Sequence, residues 1–568
     1  MKRIIYVSLI VLSAVALSSC GGLNKMKKEA PNVSYQVNPS PLEEHAGQVA
    51  MTITGQFPEK YFNKKAVVTA TPVLVYEGGE TAFESVTLQG ESVQENNKVI
   101  SYAGGKFTYN GKIEFTDDMR RSQLMLRATA TLKSKSLDFD PVKLADGVIA
   151  TPTLVKTKPH PVLMPDKYQR IVPETKEADI KFVINRYNLR NSQLKKEDVT
   201  NLLNFVKDVA QAPNLEFTGS EIHGYASPDG PLDFNDKLSK KRAGVVDKYM
   251  GKKFKKAKVV EDVSKIQKHS TAEDWAGFKQ LVQASDLKDK DLILRVLSMY
   301  SDPEVREKEI KNMAAAYEEL KSDILPQLRR SVIRVNVNKI GFSDEEILKY
   351  MDSNPDTLGI EAMLHAGALT DDPATQLKYY KTAFEKYPTC IRAINNIGAV
   401  YLKMGKADEA EQALKQAEQM KAVDPVKTNL GWVELMKGNK DKAEEYFTSV
   451  QKPTDESNFG LGTIAIMNGK YQDAVNYFGT QKGFNAALAQ LLNGNAQAAK
   501  NVLDGIDHSC QWKEYLYAVV GARLGDENMV MDHLKKSVEK DAKMKDLART
   551  DMEFAKYFEN EQFKAIVQ

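Results

Sequence analysis

Apolar and polar positions follow three different rhythms along the chain. From about Val33 to His160 the period is two: Val49, Met51 and Ile53 alternate with polar neighbours, Val67 to Tyr76 is β-branched and aromatic, and Leu124, Leu126, Ala128, Ala130 and Leu132 alternate again. Gly78-Gly79, Asn96-Asn97 and Gly104-Gly105 punctuate these runs as turns. Residues 33–160 therefore read as an antiparallel β-sandwich of roughly seven strands. Thr151 to Pro173 is rich in proline and threonine without pattern, which predicts a linker.

A mixed rhythm follows over 174–340. Ile180 to Ile184 reads as a strand, and Val199, Leu202, Leu203, Val206 and Ala210 fall on one helical face. Leu215 to Gly224 reads as a second strand, and Asn235 to about Met250 as a second helix stopped by Gly251. Residues 252–326 read as a charged helical insertion, with Ser270 and Glu273 as a capping box before Trp275 and Phe278. Ser331 to Val337 closes the unit as a strand, making an α+β domain.

From Glu345 onward the period is helical only. Glycines recur at 405, 438, 469, 494 and 525, separated by 33, 31, 25 and 31 residues. Each stands before a helix that carries a small and then a large residue: Ala410 with Leu414, Ala443 with Phe447, Ala474 with Phe478, Ala499 with Leu503. The stretch Gly398-Ala399-Val400-Tyr401, Gly405, Ala410, Leu414 and Ala417 resembles the tetratricopeptide repeat, and Ala383 to Pro388 resembles the end of an earlier copy. The resemblance implies an all-α superhelix over 345–568, of about five to six repeats with one shortened, closed by Phe554, Tyr557, Phe558 and Phe563 as a cap. It also implies a groove that takes a peptide or protein segment, here from an unidentified envelope protein.

The first residues change where the chain is expected to work. Met1-Lys2-Arg3 precede an apolar run from Ile4 to Leu17 and then Ser18-Ser19-Cys20, the form of a secretory leader (1–19). Leu17-Ser18-Ser19-Cys20 resembles the lipobox of bacterial lipoproteins, which implies lipidation of Cys20 and anchoring by several acyl chains; the alternative is ordinary cleavage with Cys20 as a bystander. Residues 20–32 then read as a flexible basic tether. Gly21 in place of an aspartate implies the outer membrane, and the absence of an acidic cluster favours its periplasmic leaflet.

Composition narrows the chemistry. With 79 Lys and Arg against 76 Asp and Glu, the formal charge is +3, which disfavours nucleic-acid binding by bulk charge. Three cysteines make no disulfide framework. The seven histidines show no metal-ligand spacing and no nucleophile elbow is present, so no cofactor, metal or catalytic set is expected.

One loop has a chemical signature. Gly224-Tyr225-Ala226-Ser227-Pro228-Asp229-Gly230, then Asn235, Leu238, Ser239, Arg242 and Ala243, resembles the OmpA-like peptidoglycan-binding domain. In that family an aspartate and an arginine grip the zwitterionic end of diaminopimelate, a carboxylate on the ammonium and a guanidinium fork on the carboxylate. The resemblance carries this role to Arg242, but Ser227 stands at the aspartate position. Asp229 is then either the relocated carboxylate or a turn residue before Gly230, and Asn235 a ligand or a helix cap. The multidomain whole resembles OmpA-related lipoproteins of the Bacteroidota. It implies a non-enzymatic lipoprotein that holds a peptidoglycan peptide through Ser227, Asp229, Asn235 and Arg242 and a protein through its repeats. The alternative is an assembly or secretion scaffold whose OmpA-like module has lost that ligand.

Overall fold

The computed structural model describes residues 21–259 and 265–568, so the leader and Cys20 lie outside the described residues. The chain forms two compact units: residues up to Pro165 together with Thr370–Gln568, and the intervening Asp166–Leu369. The first unit is therefore discontinuous in sequence.

It begins with a helix, Gly21–Glu29, where a flexible tether was expected. Leu23 and Met26, three residues apart, share one face and are buried in the core of the strand-rich region, while the Lys27 ammonium donates to the Asp138 carbonyl at 3.0 Å and pairs with Asp140 at 3.0 Å. Burial of these two side chains overrides the weak helix propensity of the glycine pair.

Two sheets share this core. One orders Ser34–Asn38, Gln48–Phe57, Leu42–His45 and Val148–Ile149, with Gly105–Glu114 also paired along Gln48–Phe57. The other orders Lys135–Asp138, Ser122–Leu132, Val67–Tyr76, Val86–Gly90 and Lys98–Ile100, with two further short strands on its long members. Alternate residues of Gln48–Phe57 are buried, as the period of two requires. The long strands stand where the alternation predicts them, but the region holds more strands than the expected seven. Pieces such as Gly79–Ala82 and Val148–Ile149 are too brief to show a rhythm.

The expected linker is not free. Thr151–Leu154 forms a 3-10 turn whose Thr151, Pro152 and Leu154 are buried, and Val155 to Pro165 continues as an extended strap.

The second unit is built on a four-stranded sheet in the order Ile171–Lys181, Arg330–Ile340, Leu215–Tyr225, Ile266–Thr271. The first two contacts are antiparallel and the last parallel. Helices Glu197–Gln211 and Leu232–Ala257 pack on it through Val199, Leu202, Val206, Val246, Met250 and Phe254 against Ile180, Ile222 and Ile333. Several boundaries depart from expectation. The first strand starts at Ile171 and runs through Pro173, which an edge strand tolerates because one row of N–H groups has no sheet partner. The second helix passes Gly251, at which an added Cβ meets nothing, and ends at Lys258 with φ 59°.

Ile266–Thr271, inside the segment expected to be helical, is an edge strand whose polar residues show no alternation. Asp274, not Ser270, caps helix Trp275–Ala284, accepting from the Gly277 N–H at 2.8 Å. The helices after it close over their own cluster of Phe278, Val282, Ile293, Leu297 and Leu320. Asp344–Ser353 and Ile360–Ala368 also belong to this unit, so the repeat region within the first unit starts at helix Pro373–Lys386 rather than at 345.

From there paired helices follow: Ile391–Lys403 with Ala407–Met420, Asp424–Met436 with Lys440–Thr448, Asp455–Met467 with Tyr471–Phe478, Phe484–Leu492 with Ala496–Asp504, and Gln511–Leu524 with Glu527–Lys540. The five recurring glycines sit between the members of each pair at φ from 70° to 83°, the left-handed region that a side chain resists. A Cβ on Gly398 would strike Leu414, on Gly431 Phe447 and on Gly462 Phe478, so the small position of the first helix receives the large residue of the second. The step of 25 residues reflects short helices, Tyr471–Phe478 and Phe484–Leu492. Phe554 and Phe563 are buried in the terminal cap.

Candidate functional site

The loop 225–230 of the second unit brings together the four residues singled out in the sequence. Gly224 lies where helix Leu232–Ala257 crosses the strand end: a Cβ there would collide with the Ser239 carbonyl and approach the Ala243 backbone. The Gly, Ser and Ala of the motif thus serve close packing of strand on helix, and Ser239 and Ala243 are buried. Asn235 does not cap the helix, whose first turn starts behind Pro231. Its Nδ2 donates to the Ser227 and Gly230 carbonyls, each at 3.1 Å, and fixes the loop.

The charges of the loop are satisfied within the unit. The Ser227 hydroxyl donates to Asp229, and Arg329 pairs with Asp229 at 3.1 Å, both ionic side chains being about nine-tenths buried. Arg242 is 1% exposed. Its Nε donates to the Arg186 carbonyl at 3.1 Å, Nη1 to Tyr225 at 2.9 Å and Nη2 to Val183 at 3.3 Å, with the guanidinium carbon 5.3 Å from the Phe182 ring centre. Burial, with Arg329 nearby, pushes the guanidinium down to about 10. Asp229 faces Arg329, and Arg242 faces backbone carbonyls. Arg329 has no local signal in the sequence, because its partner stands 100 positions away. His223 stacks on Tyr225 at 4.2 Å between ring centres and bonds Thr271 at 2.7 Å.

In the first unit, the strap lies along the first helices of successive repeats. Asn485 accepts from the Lys156 N–H at 2.9 Å and donates to its carbonyl at 2.7 Å. Asn429 does the same for Val162 at 2.7 and 2.9 Å, and Asn396 for Met164 at 2.7 and 3.0 Å. Asn395 adds a bond to the Val162 carbonyl at 3.0 Å. All four asparagines are buried. Each carboxamide offers one acceptor and one donor side by side, so it reads an extended backbone as a neighbouring strand would, without regard to side chain.

The strap runs against the order of the repeats, from the helix at 484–492 to that at 391–403. Where the matching helix 455–467 has Gly460 in place of an asparagine, His160 instead stacks on Phe459, 4.0 Å between ring centres, with Trp432 at 5.6 Å. Burial pushes the His160 imidazole down. The signal was present in the sequence: an asparagine stands nine positions before the turn glycine in three repeats, 396 before 405, 429 before 438 and 485 before 494.

The same unit joins strand-rich region and repeats elsewhere. Thr151 donates to Glu553, which is also held by Arg523 Nε at 3.0 Å. Arg121 donates to the Arg549 carbonyl at 3.1 Å, and His45 meets the Tyr471 hydroxyl at 2.7 Å. Among the described residues no group of three or more His, Cys, Asp and Glu side chains is placed to hold a metal ion, and Cys390 and Cys510 are free thiols.

Residues 391–424 match the family model of the tetratricopeptide repeat. A search of curated proteins returned no match. Among solved structures, the chain is similar to a chain of the APC/C hetero-tetramer Cut9-Hcn1, at 13% identity over 51% of this chain and 58% of that one, TM-score 0.33. It is also similar to a tetratricopeptide repeat protein from Parabacteroides merdae, at 13% identity over 49% of this chain and 99% of that one, TM-score 0.27. The chain thus takes in less than two thirds of the first of these relatives. A strand-rich N-terminal region and a C-terminal all-helical repeat region of tetratricopeptide type are what sequence, structure and comparison agree on.

Proposed function

We propose that this chain is a non-enzymatic scaffold of an envelope assembly, held at the periplasmic face of the outer membrane by lipid on Cys20. In this reading its OmpA-like module no longer takes peptidoglycan and its repeat region recruits a protein. The observation that carries the reading is the asparagine ladder on the strap. Helix faces able to bind any extended peptide are engaged by the chain's own residues 156–164, which ties the strand-rich region to the repeats as a platform. Loss of the peptidoglycan ligand is supported by the pairing of Asp229 with Arg329 and of Arg242 with three carbonyls. A zwitterion would have to displace partners already well placed in a dry setting.

Three experiments test the parts. Affinity capture of the chain from envelope extract should return a stoichiometric protein complex; recovery of the chain alone would remove the scaffold reading. Purified chain mixed with isolated sacculi should stay in the supernatant. Retention that disappears in Asp229→Ala would restore the peptidoglycan reading. Metabolic labelling with a fatty acid should mark the chain and be lost in Cys20→Ser.

A further inference from the structure

A cavity of about 1070 Å3 opens in the first unit between the start of the strap and the last repeats. Its charge is lopsided. Lys156, Lys158, Lys482 and Lys513 line it, whereas Asp507 is its single carboxylate. Lys513 donates to the Ile506 carbonyl at 2.6 Å and feels the charge of Asp504 from beyond ion-pair distance; among the described residues no carboxylate lies within 4 Å of the Nζ of any of the four lysines. Lys156 Nζ is held 3.1 Å from the centre of the Trp512 ring and 5.5 Å from that of Phe484. Burial pushes this ammonium down to about 8. The aromatic floor open to a ligand is formed by Phe484 and Trp512, both part-exposed, whereas Phe459 lies beneath His160.

We propose that this cavity docks an acidic peptide segment of the protein partner, its carboxylates on the lysines and one of its aromatic or aliphatic side chains on the floor. The inference rests on the scaffold reading and adds the chemistry of the partner. Unpaired cations around a cavity favour an anion. A free phosphate would use the lysines and leave the aromatic floor bare, whereas a peptide meets both. The volume is in the range that encloses several side chains.

The test titrates the purified chain with a fluorescein-labelled octapeptide of alternating glutamate and phenylalanine, and with its lysine counterpart. Anisotropy should saturate with the acidic peptide alone, with a change in Trp512 fluorescence that is absent in Trp512→Phe. Lys158→Glu with Lys482→Glu, both exposed and outside any core, should weaken binding about tenfold or more. Equal binding of the two peptides, equal binding by the double variant, or displacement of the acidic peptide by inorganic phosphate would each overturn the proposal. Affinity capture with the same double variant separates the two ideas. A complex lost only in the variant supports the cavity, and a complex kept in the variant overturns the cavity and leaves the scaffold. No complex even with the unaltered chain overturns both.

Discussion

Arg242 shows how one side chain separates a ligand role from a packing role. Its three bonds cap the carbonyls of Val183, Arg186 and Tyr225, which hold the turn after one strand and the end of another. Arg242→Ala removes the donors of all three carbonyls together with a buried side chain and should lower stability by about 3 kcal/mol. Denaturant unfolding measures this; an unchanged midpoint would show that the guanidinium is there for a ligand. Arg242→Lys should rescue little, since one ammonium cannot reach three diverging carbonyls.

Asp551 makes a second, pH-dependent case. Fully buried and bonded to the Tyr515 hydroxyl at 2.7 Å, its carboxyl is pushed up from 3.8 to about 6, by burial first and by the charge of Glu553 second. Between these values the folded chain holds a proton that the unfolded chain has released. Stability contributed by this group is therefore greatest below about 4, falls as pH rises to about 6, and is level above. Asp551→Asn should flatten that fall, so that its melting temperature gains on the unaltered chain as pH goes from 4 to 6; parallel curves would refute the assignment.

Among elements, the strap is the least legible from sequence and among the most consequential. Its proline and threonine content fits a linker because it has no periodicity of its own; its hydrogen bonds go to side chains 227 to 329 positions away. Asn429→Ala removes both bonds to Val162, about 1 kcal/mol each, and should speed hydrogen exchange at the Val162 amide roughly 30-fold while repeat helices keep their protection. Exchange unaltered at Val162 would mean the strap is held by its aromatic contacts instead. The repeat helices themselves were legible. Glycine at the turn, a small residue on one helix and a large one on the next express local geometry, which recurs wherever the geometry recurs.

At the scale of the molecule, the unit that joins residues up to Pro165 with Thr370–Gln568 is interrupted by Asp166–Leu369. Strap, cap and strand-rich region share Thr151 with Glu553, Arg121 with Arg549 and His45 with Tyr471, so the halves should associate without a peptide link. Chains 21–165 and 370–568 co-expressed as separate polypeptides should purify together in equal amounts. Separate elution of two folded pieces would show that continuity, not contact, holds the unit.

The alternation of two, the helical period and the recurring glycines determined by themselves that strands come first and paired helices last, because each is a rule about neighbours a few residues apart. The frame of Gly224, Ser239, Arg242 and Ala243 was equally visible, since a strand crossing a helix closely demands small residues at set places. What only the tertiary structure decided is what those residues face. The partner of Asp229 is Arg329, those of Arg242 are three carbonyls, and the groove of the repeats holds the chain's own strap. Buried polar groups must be satisfied wherever the fold brings a partner, and distance along the chain does not enter that requirement.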